Sequence, residues 1–193
     1  MMKKLFSFIL LLGCIASLSA NPINGLLERI DKGASKKFII QQQKSDSDFF
    51  ELDQKGDKVV IRCNNYVSIA TGINWYLKYH AGIHLSWNGM TADLPEVLPA
   101  VKQKERHETR LPYRYAYNYC TFSYSMAFWD WARWEQEIDW MALHGVNLSL
   151  ALTGAETVWK NVLTKLGYTK DEINAFVSGS GFTAWWLMNN LEG

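Results

Sequence analysis

One stretch of this 193-residue chain, residues 113–145 (YRYAYNYCTFSYSMAFWDWARWEQEIDWMALHG), crowds tyrosine, phenylalanine and tryptophan around Asn118 and Cys120. An amide holds a hydroxyl through directional hydrogen bonds, whereas a thiol offers shape and a weak donor. Aromatic rings cover the apolar faces of a pyranose while amide and backbone groups take its hydroxyls, so this mixture suits a sugar pocket. The same stretch holds two acids one helical turn apart, Glu135 and Asp139. They invite a reading as a catalytic pair, but where helices cover a parallel sheet the chemistry sits at the C-terminal ends of the strands and not along outer helices. A structural role is expected for both.

The pattern also shows which elements must position these groups. Tyr113, Tyr115, Tyr117 and Tyr119 share one parity; Arg114, Ala116, Asn118 and Cys120 share the other. That alternation predicts a strand beginning at Tyr113, within residues 113–125, with Asn118 and Cys120 on one face near its C-terminal end. Trp131–Leu143 reads as a helix with Asp130 as N-cap and Gly145 just beyond its end. Its stripe of Trp131, Trp134, Ile138, Met141 and Ala142 is expected to face the sheet. Arg133 and Glu137 read as an i, i+4 pair of the surface kind. Residues 146–152 (VNLSLAL) form a second apolar strand. Strand, helix, strand with both strands buried predicts a parallel α/β unit. Asn147, Ser149 and Ala151 share a face of the second strand, and the sequon at Asn147 is expected to be buried and unused. Glu156, four residues past the strand, is expected to open the next helix, where a carboxylate suits the dipole.

Further on, Val158, Trp159, Val162, Leu163 and Leu166 predict a helix closed by Gly167, and Thr169 with Glu172 a capping box. In the first half, Ile23, Leu26, Leu27 and Ile30 predict a helix. Residues 38–42 read as a strand, 49–52 and 59–62 as a hairpin, and 66–80 as a helix burying Ile69, Ile73, Tyr76 and Leu77. Residues 85–111 are broken by Pro95 and Pro99 and read as a connection between domains.

The formal net charge is +1, with lysine and arginine scattered, so neither a nucleic-acid face nor an electrostatic membrane patch is expected. Gly82 interrupts the metal-like spacing of His80 and His84, so neither a metal nor a cofactor is expected. Cys63 and Cys120 fall in different predicted domains and read as two separate buried thiols; no paired histidine marks Cys120 as a nucleophile. Residues 1–20 read as a secretory leader, with Leu11-Leu-Gly-Cys14 as an alternative lipidation site. Either way the protein is expected to be exported, in bacterial style and without a transmembrane span.

Asn118-Tyr-Cys-Thr-Phe-Ser-Tyr-Ser125, the run WDWARWEQEIDWMAL from Trp129 and Gly145-Val-Asn147 resemble the α-N-acetylglucosaminidase family, glycoside hydrolases that remove terminal α-linked N-acetylglucosamine. The resemblance runs from about Tyr113 to the end. Residues 21–106 more loosely resemble the family's small N-terminal domain. The fold it implies is α/β: a small N-terminal α/β domain followed by the first two βα units of a (β/α)₈ TIM barrel. The domains would be 1–20, 21–106 and 107–193. It also implies that Asn118, Cys120 and Trp185 line the sugar site of an exo-acting, retaining enzyme whose partner is a glycan ending in α-linked N-acetylglucosamine. Such an enzyme uses two glutamates about 5–5.5 Å apart, expected beyond Gly193. A complete barrel takes about 250 residues, so this chain is expected to be the N-terminal part of a longer protein and inactive alone. The residues by themselves leave other readings open: Asn118 bonded to nearby backbone, Cys120 as core filler, Trp185 as helix packing. A non-catalytic carbohydrate-binding protein with an aromatic platform, or an assembly surface, would use the same rings.

Overall fold

The computed structural model describes residues 21–188. The leader and Cys14 lie outside the described residues. Asn21 caps α1 (Pro22–Ile30) by accepting from the Ile23 amide at 3.1 Å. Proline is tolerated in that first turn, where the amide has no helical partner. Ile23, Leu26, Leu27 and Ile30 are all buried, as the periodicity requires. A 3-10 turn leads into β1 (Phe38–Gln42), β2 (Asp48–Lys55), β3 (Lys58–Cys63), α2 (Tyr66–Tyr79) and β4 (Glu105–Thr109). The sheet order is β1-β3-β2-β4, with β1 parallel to β3 and β2 antiparallel to both its neighbours. Val59, Val60, Ile61 and Cys63 are all buried, which marks β3 as a strand covered on both faces. Ile69, Ile73, Tyr76 and Leu77 of α2 close the core over Leu27 and Leu52. Gly72 permits the close approach: a Cβ there would stand 3.1 Å from Ile61 Cγ2 and from Phe50 Cβ.

β4 corrects the expectation that residues 85–111 only connect. Its sequence, ERHET, is charged because it is an edge strand, and charge is what protects such edges. Its anchor is a polar residue, His107, stacked at 5.0 Å on Phe50 and 4.2 Å from Trp75. The expected domain limit at residue 106 therefore falls inside a strand of the first sheet.

The second half contains β5 (Tyr115–Ala116), α3 (Tyr119–Tyr124), α4 (Trp131–Leu143), β6 (Leu148–Ser149), α5 (Ala155–Lys165), α6 (Lys170–Phe176) and α7 (Thr183–Leu187). β5 and β6 are parallel, Tyr115 opposite Leu148 and Ala116 opposite Ser149, with α4 in the crossover. This is the βαβ unit that the pattern predicts, and the fold class is α/β with the opening βα units of a barrel, but Tyr115 and Leu148 are exposed where buried strands were expected. The strands are far shorter than expected. The Tyr/non-Tyr alternation continues past Ala116, but Tyr117 adopts a left-handed φ of 74° and α3 begins two residues later.

α4 buries the C-terminal part of its predicted apolar stripe, Met141 and in part Ala142, and adds polar residues that the stripe leaves out. Trp131 is 69% and Ile138 46% exposed, while Glu137, Asp139, Met141 and Leu143 are buried. The reason is that α4 also packs on the N-terminal domain, through polar groups that a hydrophobic stripe cannot register. Arg29 of α1 donates to Asp139 from Nε at 2.6 Å and Nη2 at 2.8 Å, with Glu135 at 3.4 Å. Asn74 of α2 donates to the Leu143 carbonyl at 3.1 Å. Glu135 and Asp139 are therefore joints between domains, in the structural role expected of them.

A second joint is Arg114, which donates to Asp48 Oδ2 at 2.6 Å and to the Gly145 carbonyl at 2.5 Å. Asp48 also accepts from Asn64 at 3.0 Å and Asn65 at 2.6 Å. Burial alone would raise the Asp48 carboxyl, but the bonds from Asn64 and Arg114 outweigh it and hold the group below its ordinary value. A depressed folded-state value means stabilisation that is present above the unfolded carboxylate value of about 3.9 and lost as pH falls through the folded one. The stability gap between the native sequence and Asp48→Asn is therefore expected to be largest near pH 6 and to shrink below pH 4, as read by urea unfolding at each pH.

Candidate functional site at the ends of the paired strands

β5 and β6 end side by side, and barrel chemistry belongs to the residues that follow such ends. After Ala116 the chain reverses at Tyr117, the one non-glycine residue with positive φ among the described residues. Asn118 then caps α3, its Oδ1 accepting from the Thr121 amide at 3.1 Å and the Thr121 hydroxyl at 3.0 Å. Cys120 stands half-buried in the first turn of α3. The two thus share a helical turn and not a strand face, which corrects the parity argument while leaving both at the C-terminal end of β5. The Asn118 oxygen is committed to the cap. Its Nδ2 has no acceptor among the described residues, and the side chain is exposed.

α7 is locked to α3 by the Ala184 amide, which donates to Ser123 Oγ at 3.0 Å in a buried bond. The adjacent tryptophans divide their work. Trp186 is buried, edge-on to Trp159 at 5.7 Å and to Phe176 at 5.3 Å. Trp185 stays half-buried and meets the exposed Tyr124 of α3 edge-on at 5.1 Å. Asn118 and Cys120 thus stand at the head of α3, and Trp185 stands on the neighbouring α7 against Tyr124 at the other end of α3. Beneath these helices lies a cavity of about 50 Å³ lined by Phe122, Met126, Thr153, Glu156 and Thr183. That holds a water or two, not a sugar. Beside it, a groove of about 510 Å³ runs along Ala151, Thr153 and Gly154 to Val158 and Trp159, in the size range of ligand sites. Glu156 lies in the first turn of α5, as expected.

Sequence reasoning missed the cluster that supports this rim. Glu137 is 1% exposed while the Arg133 side chain is 23% exposed, so their pair is buried at its acidic end and not of the surface kind. Its Oε1 accepts from the Tyr117 hydroxyl, and its Oε2 accepts from Trp87 Nε1 at 2.7 Å and Arg133 Nη2 at 2.9 Å. The Arg133 guanidinium lies over Trp129 at 3.9 Å and over Trp87 at 4.7 Å. Burial first, and the neighbouring Glu137 carboxylate second, hold the Tyr117 phenol well above its ordinary value. Only the i, i+4 spacing hinted at this cluster; its other donor, Trp87, lies 50 residues away in sequence.

Other expectations need smaller adjustments. Asn147 is exposed, not buried, but its amide is occupied: Oδ1 accepts from the Arg114 amide at 2.8 Å and Nδ2 donates to the Pro112 carbonyl at 2.9 Å. His80 Nε2 pairs with Glu105 at 2.8 Å. Among the described residues no group of three His, Cys, Asp or Glu is arranged to hold a metal, and no helix is long and apolar enough to cross a membrane. Cys63 and Cys120 are unpaired; Cys63 is fully buried, whereas Cys120 is not. Burial pushes the Cys63 thiol up to about 11. Since the thiolate is the reactive form, iodoacetamide at pH 8 is expected to label Cys120 in the native protein and Cys63 only on unfolding, as read by peptide mass spectrometry.

Comparison with known proteins agrees along the chain. Residues 21–100 match the family described as Alpha-N-acetylglucosaminidase (NAGLU) N-terminal domain, and residues 114–193 its tim-barrel domain. Alpha-N-acetylglucosaminidase of Homo sapiens is 48% identical over 135 residues, 70% of this chain and 18% of that protein. A family 89 glycoside hydrolase from Clostridium perfringens, solved in complex with PUGNAc, superposes with a TM-score of 0.81 at 39% identity, over 90% of this chain and 20% of that one. A Clostridium perfringens structure with two glutamates replaced by glutamine, in complex with its substrate GlcNAc-alpha-1,4-galactose, gives 0.82 with the same identity and coverage. The chain thus spans about a fifth of the length of these relatives. Matched in sequence through both halves and in fold over nine-tenths of its length, the chain belongs to the α-N-acetylglucosaminidase family.

Proposed function

We propose that the whole protein is an exo-acting, retaining hydrolase of terminal α-linked N-acetylglucosamine, and that these residues build one wall of its sugar site. The observation that supports this reading is that Asn118 and Cys120 begin α3 just past the C-terminal end of β5, with Trp185 on α7 packed against the same helix at Tyr124. The Asn118 Nδ2 group donates to a sugar oxygen while its Oδ1 remains tied to Thr121. Trp185 offers a half-buried ring to an apolar sugar face, and Cys120 contributes shape.

Retention needs a nucleophilic carboxylate and an acid/base carboxylate about 5–5.5 Å apart, and no cofactor. Neither role is assigned among the described residues: Glu137 is committed to its buried cluster and Glu156 to the first turn of α5. The relative solved with an intact disaccharide carries two glutamate-to-glutamine changes, which fits a glutamate pair. The leader-like residues 1–20 support export.

The test is hydrolysis of an aryl α-N-acetylglucosaminide by the whole protein, with the first-formed anomer read by proton NMR. Turnover releasing the α-anomer is expected, and none from the 193-residue chain alone. Binding of N-acetylglucosamine by the whole protein without turnover would replace the hydrolase with a carbohydrate-binding protein.

A further inference from the structure

We infer that Tyr117 and Glu137 are positioning residues for the sugar site, a clamped left-handed joint that sets Asn118 at the head of α3. The inference rests on the functional reading above and adds to it how the site is held. A bulky L-residue pays roughly a tenfold bias against left-handed backbone, and such strain persists only where surroundings over-determine it. Here they do. The phenol of Tyr117 donates to Glu137, which is itself fixed by Trp87 and Arg133 on its other oxygen. The Tyr117 ring also lies edge-on to Phe122 of α3, centroids 6.3 Å apart.

The geometric consequence is specific. The reversal at Tyr117 ends β5 and leaves Asn118 at φ −126° and ψ 177°, the extended conformation in which its side chain reaches the Thr121 amide. With Tyr117 relaxed to negative φ, the strand would run on and Asn118 would leave both the cap and the rim. Tyr117 itself faces the Glu137 cluster, so it acts on the site through its neighbour. Because Trp87 follows α2 in the N-terminal half, the clamp also ties that domain to the rim.

Glycine takes positive φ without penalty and alanine does not, which separates a backbone role from a side-chain role. Two readouts are needed. One is hydrogen exchange of the Thr121 amide in the whole protein. The other is kcat/KM of the whole protein on the aryl substrate. Tyr117→Gly is expected to retain Thr121 protection and activity about tenfold better than Tyr117→Ala, although glycine ordinarily costs more order. Tyr117→Phe and Glu137→Gln are each expected to speed Thr121 exchange several-fold, with the double variant no worse than the more affected single. Equal loss in the glycine and alanine variants, or additive effects of Tyr117→Phe and Glu137→Gln, would overturn the joint. A native protein that does not hydrolyse the substrate would remove the functional reading alone, and the ranking of Thr121 exchange would then decide the joint by itself.

Discussion

Glu137→Ala is expected to lower the unfolding free energy by about 3 kcal/mol, the lower end of the range for breaking a buried ion pair from one side, because Arg133 and Trp87 keep some contact with water. Glu137 is nearly inaccessible and serves three donors at once, Tyr117, Trp87 and Arg133. Removing the carboxylate strands the Arg133 charge between two indole rings and leaves a phenol and an indole N–H without acceptors. The half-buried Tyr117 phenol and Arg133 guanidinium lose bonds that water only partly replaces, whereas Trp87, 43% exposed, can turn to solvent. Glutamine keeps the shape and one good acceptor, so Glu137→Gln should cost less than half as much. Urea unfolding with the slope held free measures both. A loss under about 1 kcal/mol for the alanine variant, the size of an exposed pair, would show that the cluster is solvated.

The second large effect separates the two jobs of Asn118. Aspartate caps helices as well as asparagine does, and it can keep the bonds from Thr121. It has no N–H to give a sugar. Asn118→Asp is therefore expected to leave the melting temperature nearly unchanged while lowering kcat/KM of the whole protein about tenfold or more. That is what an unmet sugar acceptor, worth about 1–3 kcal/mol, would cost. Asn118→Ala should show the same kinetic loss together with about 1 kcal/mol of lost cap stability. Equal kcat/KM for native and aspartate proteins would reduce Asn118 to a helix cap.

What the sequence revealed and what it hid follow one physical division. α1, α2 and β3 were legible because their burial is apolar and periodic: Ile23, Leu27, Ile69, Ile73 and Val59 lie where their spacing puts them. α4 was legible in extent, down to Asp130 as cap and Gly145 in a left-handed turn. Its buried face was legible only in part, because Glu137 and Asp139 go inside on the strength of partners at Trp87 and Arg29, far away in sequence. β4 was hidden for the same reason, a polar edge strand held by stacking of His107. At the site, the alternating tyrosines marked a strand but neither of its ends: it was expected from Tyr113, and β5 holds only Tyr115 and Ala116. Where it stops depends on one left-handed residue at Tyr117, whose clamp is long-range. Asn118 and Cys120 were expected on a face of that strand near its C-terminal end; they lie just past it, in the cap and first turn of α3, so the reasoning from shared parity fails.

The most direct measurement is a crystal structure of the whole protein with 2-acetamido-1,2-dideoxynojirimycin bound. The sugar-like ring is expected beyond the C-terminal ends of β5 and β6, with Asn118 Nδ2 within about 3.2 Å of one of its oxygens and Trp185 alongside. A ligand seated elsewhere, with Asn118 and Cys120 untouched, would contradict the site.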